Sequence, residues 1–564
     1  MSLLGSLDIG KKALTAAQLG QSTTGHNIAN VDTKGFSRQN VVQVTGRPQL
    51  DGKGQGVDIA GVRRSHDRFT KEKVVAEQLD VGTWKAREQI LMEAEILYTD
   101  LEGGKLRGAL DEFWSSWGSV ANQPESPTLR KSLVAKAQGL SDAFNMFDAK
   151  LTEFRENLNN QITKEIADLN RQVQQIENRG LNANDPRDKR EELLQQLSGK
   201  IEVRSFENKR GNLEVQITNG QHLVHGRNSY EIFPKKEAGN MGDFRIGLTN
   251  PPGIPTDITD LVHGGSLKEM VDQRDVNIKQ FHNDLNEMAH ELAFGVNQLH
   301  SGGTGINAAT HLSKGATHLN EDEIKRPLPF LKSGSFEIKI LGPNQEIEEV
   351  IEVSVEAGVE NLDGIIENIN RNADAYQVDE LGKESIKSNT KFLAVKNEDG
   401  SVSFKSGMGK KFIFGSDETN FFTTMGLNTF FHLDRGASDI HLNAELAKDE
   451  MKIVTGSDLI PSDNRIALKI AELQFKPTMN DGTTTFDEFY NKQTTDIGLK
   501  VQDAQKGVKA HKEMLDQYEA IRNSISAVNL DEEMTNMAKY QRAYESSAKF
   551  MGTVDEMAQT MINM

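Results

Sequence analysis

The chain reads as an elongated α+β multidomain protein. Discontinuous terminal α-helical coiled-coil segments, one from each end and paired, flank an inserted strand-rich central domain. Three observations predict this. Residues 530 to 564 carry two neighbouring apolar rows at alternating steps of three and four, the spacing of a helix that keeps one edge against a partner. A second helical pattern, opened by Ser126-Pro127, sustains an apolar stripe as far as Ile176. Between residues 328 and 431 the period shifts toward the alternation of strands.

At the N-terminus, Leu4, Leu7, Leu14, Ala17 and Ile28 form a thin stripe on a stretch rich in Ala and Gly. Such a helix can approach another closely. Alone it buries too little apolar area to offset an ordering entropy of roughly 1 to 2 kcal/mol per residue. The C-terminal rows are heavier: Leu530, Met534, Met537, Gln541, Tyr544, Ala548, Met551, Asp555, Ala558 and Ile562 in one, and Tyr540, Ala543, Ser547, Phe550, Val554, Met557 and Met561 in the other. Periodicity serves an intramolecular hairpin and packing between molecules equally well. Gln541, Ser547 and Asp555 interrupt the rows and are expected to fix register.

Asn30-Val-Asp-Thr-Lys-Gly35 is a helix-stopping turn, and Phe36 to Val44 reads as extended. A charged helix is expected over 69–101. The long helix follows, its stripe running Leu133, Ala137, Leu140, Phe144, Phe147, Leu151, Phe154, Leu158, Ile162, Ile166, Leu169, Val173, Ile176 with a stutter between Leu158 and Ile166. At about 1.5 Å per residue it suits a rod. Hairpins over 201–233, with turns at Lys209-Arg-Gly-Asn and Thr218-Asn-Gly-Gln, precede a helix over 266–300. In the insert, Phe336 to Ile340, Ile351 to Val355, Phe392 to Val395 and Lys411 to Phe414 read as strands, and Leu362 to Asn370 as a helix. Helix returns at Asn464. Length allows roughly four domains; the patterning resolves three: 1–60 with 500–564, 61–327 with 432–499, and 328–431.

Composition removes several classes of function. The 83 acidic residues outnumber the 65 basic ones, leaving an excess of 18 negative charges, which disfavours nucleic acid and anionic membrane as partners. With no cysteine there are no disulfides, thiolate metal sites or cysteine nucleophiles. Asp8 and Lys11 interrupt the stretch where a secretory leader would be apolar, so no ordinary signal peptide is expected. No uncharged apolar run reaches the roughly eighteen residues of a spanning helix.

No catalytic set stands out. His290-Glu291 opens like a zinc-protease signature, but the position four residues on is Phe294, so the second imidazole is missing. His282, His290 and His300 read as surface or packing histidines. Gly52-Lys-Gly-Gln-Gly lacks the helix start of a phosphate cradle and reads as a loop. Phe113, Trp114 and Trp117 read as core. No enzymatic activity, cofactor or metal is expected.

Asn27-Ile-Ala-Asn-Val-Asp-Thr-Lys-Gly-Phe-Ser-Arg38 resembles the N-terminal signature of the rod, hook and hook-associated axial proteins of the bacterial flagellum. Val528-Asn-Leu-Asp-Glu-Glu-Met534, Tyr540-Gln-Arg-Ala-Tyr544 and Val554-Asp-Glu-Met557 are similar to the C-terminal signature of the same family. Phe113-Trp-Ser-Ser-Trp117, Pro124-Glu-Ser-Pro127 with the long helix, Gly264 to Asp275, Phe294 to His300 and Asp463 to Gln474 resemble the hook-associated branch that joins hook to filament. The resemblance covers most of both flanks and is weakest over 301–438.

In that family the terminal helices form the inner tube, longer helices a second layer, and the central domain faces solvent. The resemblance implies a structural subunit of the flagellum at the hook-filament junction: cytoplasmic before export, then extracellular. Its implied partners are the flagellar hook protein, the second junction protein, a ring of copies of itself, the type III export apparatus, and an export chaperone on the C-terminal helix. Subunit and chaperone contacts are expected at Leu7, Leu14, Ile28, Asn30, Gly35, Phe36 and Arg38, and at Leu530, Met534, Met537, Tyr540, Tyr544, Phe550, Met551, Val554, Met557 and Met561. Two alternatives stand beside this reading: a hook or distal-rod subunit, and an extracellular binding or enzymatic module carried by the insert.

Overall fold

The computed structural model describes residues 3–46, 54–99, 105–178, 184–208, 212–226, 228–236, 243–250, 254–378 and 384–562. The chain divides into two units, one of Met1–Met92, Glu156–Asp275 and Lys500–Met564, the other of Glu93–Arg155 and Val276–Leu499.

In the first unit the N-terminal helix spans Leu3–Ala29 and the C-terminal helix Leu530–Ile562. Ala, Leu and Lys favour the former, and it ends where Asn30 to Gly35 supply turn residues; Gly35 takes φ +82°, open to glycine at little cost. The chain then enters an antiparallel hairpin, Gln39–Thr45 with Val57–Arg64, which packs on the N-terminal helix. Further on, a four-stranded sheet is built from Val203–Glu207, Leu213–Ile217, His222–His225 and Asn228–Ser229, in that order. Its core joins Val215, Ile217 and Leu223 to Leu193, Leu194 and Leu197 of the helix Asn184–Ser198, and to Ile162, Ile166 and Leu169. Gly220, at φ +86°, closes the expected Thr218-Asn-Gly-Gln turn; the other expected turn, at 209–211, lies outside the described residues.

The long helix runs Pro127–Asn178. Leu158, Ile162 and Ile166 are all buried across the stutter. The side chains of Val173 and Ile176 lie outside the description. The single helix expected over 266–300 is corrected: Gly265–Asp272 and Lys279–Ser301 are separated by a widened π turn, Gln273–Ile278. That turn accompanies the buried guanidinium of Arg274, which donates to Asn159 Oδ1 at 2.8 Å and to the Phe244 carbonyl at 2.9 Å. Asn159 sits within the stutter of the long helix, so the two irregularities meet at one hydrogen bond.

In the second unit, Lys105–Asn122 and Arg465–Glu472 pack together around Phe113, Trp114 and Trp117, all buried, with Phe430 and Phe486. The insert has its own core. Strand Gly334–Leu341 lies between Ile347–Val355 and Lys411–Asp417; a second sheet runs Leu312–Lys314, Val402–Ser406, Phe392–Lys396; and the helix Leu362–Asn372 packs on both. Phe336, Phe392, Phe404, Phe412, Phe421 and Phe422 fill the centre. Strand Val402–Ser406 was not anticipated, because only two apolar residues alternate within it.

Candidate assembly interface

The two terminal helices pair antiparallel within one chain. A Cβ added at Gly10 would lie 2.6 Å from Met551 Sδ, one at Gly20 would lie 2.4 Å from the Tyr540 ring, and one at Gly25 would lie 3.8 Å from Met537 Cε. These glycines are the holes into which the larger side chains fit, and Ala16 and Ala17 are buried beside them. Leu7, Leu14 and Ile28 are half-buried along the same helix.

On the C-terminal helix the covered positions are Glu533, Asn536, Met537, Tyr540, Ser547, Met551, Val554 and Ala558. This corrects the expectation of two separate rows. The contact line takes alternate members of each, Met537, Met551 and Ala558 from one and Tyr540, Ser547 and Val554 from the other, because one antiparallel partner covers a single heptad seam. Gln541 and Asp555 are exposed and outside that seam; Ser547 alone of the three interrupting residues lies within it. Leu530, Met534, Tyr544, Met557 and Met561 stay exposed, Met557 at 54% and Met561 at 66%, and Phe550, though 43% exposed, edges the seam, its ring 3.3 Å from a Cβ added at Gly10.

The base of the pair is a polar clasp. Asn27, buried, donates through Nδ2 to the Gln39 carbonyl at 2.9 Å and to Glu533 Oε2 at 3.1 Å, and its Oδ1 accepts from Gln39 N at 3.0 Å. Arg38 Nε donates to Glu533 Oε1 at 2.7 Å and its Nη1 to Glu532 Oε2 at 2.8 Å, while its backbone N–H donates to the Ser526 carbonyl at 2.8 Å. The N-terminal signature therefore grips, from its first and last residues, a buried carboxylate of the C-terminal signature. Ser37 donates from backbone and hydroxyl to Asp188, each at 2.8 Å, and Arg64 bridges Asp188 and Glu191.

Asn30 donates to the His26 carbonyl, Phe36 packs edge-on against the His26 ring at 5.5 Å, and Gly35 forms the turn between them. Arg38 is thus a clasp residue, and Asn30, Gly35 and Phe36 shape the loop that delivers it. Beside this loop lies a polar cavity of about 340 Å³ lined by Lys34, Phe36, His66, Lys71, Glu191 and Arg522. Burial opposes ionisation of Glu191, but the Lys71 and Arg64 cations outweigh it and hold the carboxyl below its ordinary value.

The sequence singled out Arg38 but not Asn27, Gln39, Asp188 or Glu533. Glu533 follows Asp531 and Glu532 in a first helical turn, where acidic residues ordinarily serve the helix dipole in water. Nothing local marks the third of them as buried. The histidine reading holds for His300, whose Nδ1 faces the Asn428 carbonyl at 2.7 Å while Nε2 accepts from Val454 N at 3.0 Å, leaving no lone pair for a metal. His282 pairs with Asp148 at 3.2 Å.

Three family profiles match this chain. The flagella basal body rod protein profile covers residues 7–36 and the flagellar basal body rod FlgEFG protein C-terminal profile covers 522–564, one on each half of the clasp. The flagellar hook-associated protein FlgK helical domain profile covers 91–312. Over nearly its whole length the chain is similar to the flagellar hook-associated protein 1 family. Relatives named flagellar hook-associated protein 1 include one from Escherichia coli (strain K12), 25% identical with 98% of each chain covered, and one from Bacillus subtilis (strain 168), 23% identical with 99% of this chain and 97% of that one covered. Among solved structures, the flagellar hook junction protein FlgK from Burkholderia pseudomallei shares the fold at a TM-score of 0.51 and 15% identity, over 80% of this chain and all of that one.

Proposed function

We propose that this chain is a structural subunit of the bacterial flagellum that joins hook to filament, assembled through its terminal helices. The observation that carries this reading is the divided use of the C-terminal helix, one seam closed by the N-terminal helix and further apolar side chains, Met534, Met557 and Met561 among them, left exposed for neighbours. In this reading the chain catalyses no reaction. Its role is to match two helical lattices, with hook protein on one side, the second junction protein on the other and a ring of its own copies between.

The contact set comprises Leu7, Leu14 and Ile28 with Leu530, Met534, Met537, Tyr540, Tyr544, Phe550, Met551, Val554, Met557 and Met561. Asn30, Gly35, Phe36 and Arg38 hold the base. The division proposed is a terminal domain (1–60 with 500–564), a long-helix domain (61–327 with 432–499) and an exposed insert (328–431). Before export the outward methionines and Phe550 make an adaptable, aggregation-prone face that suits a cytoplasmic chaperone. Export through the type III apparatus then places the protein outside the cell. Deleting residues 530–564 is expected to abolish both chaperone binding and junction assembly; motile cells with intact filaments after that deletion would refute the reading.

A further inference from the structure

We infer that Glu214, His222 and His225, brought together on the four-stranded sheet of the first unit, form a binding site for a first-row divalent metal ion of the Zn2+ class. Residues three apart on a regular strand point to opposite faces, so His222 and His225 should not meet. The pairing explains why they do. Val215 is opposite Val224, but Gln216 is opposite His222, so the strand His222–His225 carries one extra residue at Leu223. That bulge returns His222 to the face of His225, and continuing the ladder one step sets His225 across from Glu214. The two imidazole rings come to 4.7 Å at an interplanar angle of 71°.

The donor geometry suits such an ion. One ligand atom from each of the three residues lies within 4.8 Å of the other two. Glu214 Oε2 is 2.8 Å from His225 Nδ1 and 3.7 Å from His222 Nδ1. Metal–ligand bonds of about 2.0 to 2.2 Å in a tetrahedral array space donors about 3.4 Å apart, between these two distances.

The second observation is the state of the carboxylate. Glu214 is buried, and its Oε2, aimed at the histidines, accepts no hydrogen bond; the contact with His225 is close but lacks hydrogen-bond geometry. Its other oxygen is held by Asn208 Nδ2 at 2.8 Å and by Gly226 N at 3.3 Å, which leaves Oε2 as a single oriented donor. The Gln216 Nε2 lies 3.0 Å from His222 Nε2 and 3.5 Å from its Nδ1, so the amide braces this ring beside the carboxylate. Two imidazoles and one carboxylate favour a borderline ion over Ca2+ or Mg2+, and three protein ligands leave a position for water.

Calorimetric titration of the EDTA-treated full-length protein with ZnCl2 tests this. One equivalent is expected to bind, with affinity reduced at least tenfold in each of H222A, H225A and E214Q. The two histidines are partly exposed, so their alanine variants should fold. Co2+ should give the intense visible d–d band of a four-coordinate site, absent in H222A. H511A is the control, because Glu77, Asp80 and His511 form the other clustered donor set among the described residues, in which His511 is already bonded to Glu77 at 2.6 Å. Absence of binding overturns the proposal, as does affinity unchanged in the three variants or lost only in H511A.

Discussion

Glu533 is the residue on which the two ends of the chain converge. Its carboxylate is almost wholly shielded while the Arg38 side chain keeps 20% of its surface, so the pair is far less screened than a surface salt bridge. Removing the acid takes the buried acceptor from Arg38 Nε and one of two acceptors from the Asn27 amide, leaving only the Gln39 carbonyl and the exposed Glu532. Glu533→Ala is therefore expected to destabilise the clasp by roughly 3 to 5 kcal/mol. Hydrogen exchange should rise together over 27–39 and 530–537. Unchanged exchange in either segment would contradict this coupling.

His300 gives a pH signature of the opposite kind. Burial pushes its imidazole down to about 4 from an ordinary 6.5, against the bond to the Asn428 carbonyl and with a smaller contribution from Arg130. The unfolded chain takes up a proton below about pH 6.5 that the native state refuses until about pH 4. Stability is intact above that window and falls through it, by on the order of 3 kcal/mol in all. Trp117 reports on this region through Phe430, which packs tilted against Trp117 and edge-on against His300. Denaturation followed by tryptophan fluorescence at pH 7 and pH 5 should show the loss. In His300→Leu this contribution should vanish, at the cost of lower stability at pH 7 from two unpaired backbone groups.

The terminal helices behave as complementary elements, one supplying holes and the other knobs. Gly20 is unfavourable for helix by about 1 kcal/mol relative to Ala, yet a side chain there would strike the Tyr540 ring. Gly20→Leu is expected to cost about 1 to 3 kcal/mol of pairing in spite of its better propensity. Proteolysis within 3–29 should accelerate about tenfold or more. The outward face obeys different arithmetic. Met557→Ser with Met561→Ser removes side chains already in water, so the melting temperature of the free chain should barely move, while incorporation into the junction should be lost. A large drop in melting temperature would place these methionines inside the chain's own fold.

For the whole molecule, stability is expected to be graded. The insert and the four-stranded sheet each have a contiguous apolar core; the terminal pair has one seam and a clasp. Amide exchange in the free chain should be fast over 3–29 and 530–562, apart from the clasp, and slow in both cores. Protection at the ends should appear on assembly. Protection in the free chain as strong at the ends as in the cores would remove the need for neighbours on which the assembly reading rests.

Much of this was legible along the chain. Pro127 opens the long helix, Leu530 opens the last one, and the turn after Ala29 stands where Asn, Asp and Gly cluster, because caps and periods are local properties. The small residues of the N-terminal helix announced a close approach, and Gly10 and Gly20 make it. Tertiary structure alone decided which heptad seam closes, since the period allows a seam along either row or one drawn from both. It also decided that Glu533 is buried rather than solvated, that a π turn aims Arg274 at Asn159, and that a bulge at Leu223 sets two histidines on one face. Each of these depends on residues distant in the chain or on the opposing strand. A one-dimensional pattern records which side chains can be covered, and only the folded backbone determines what covers them.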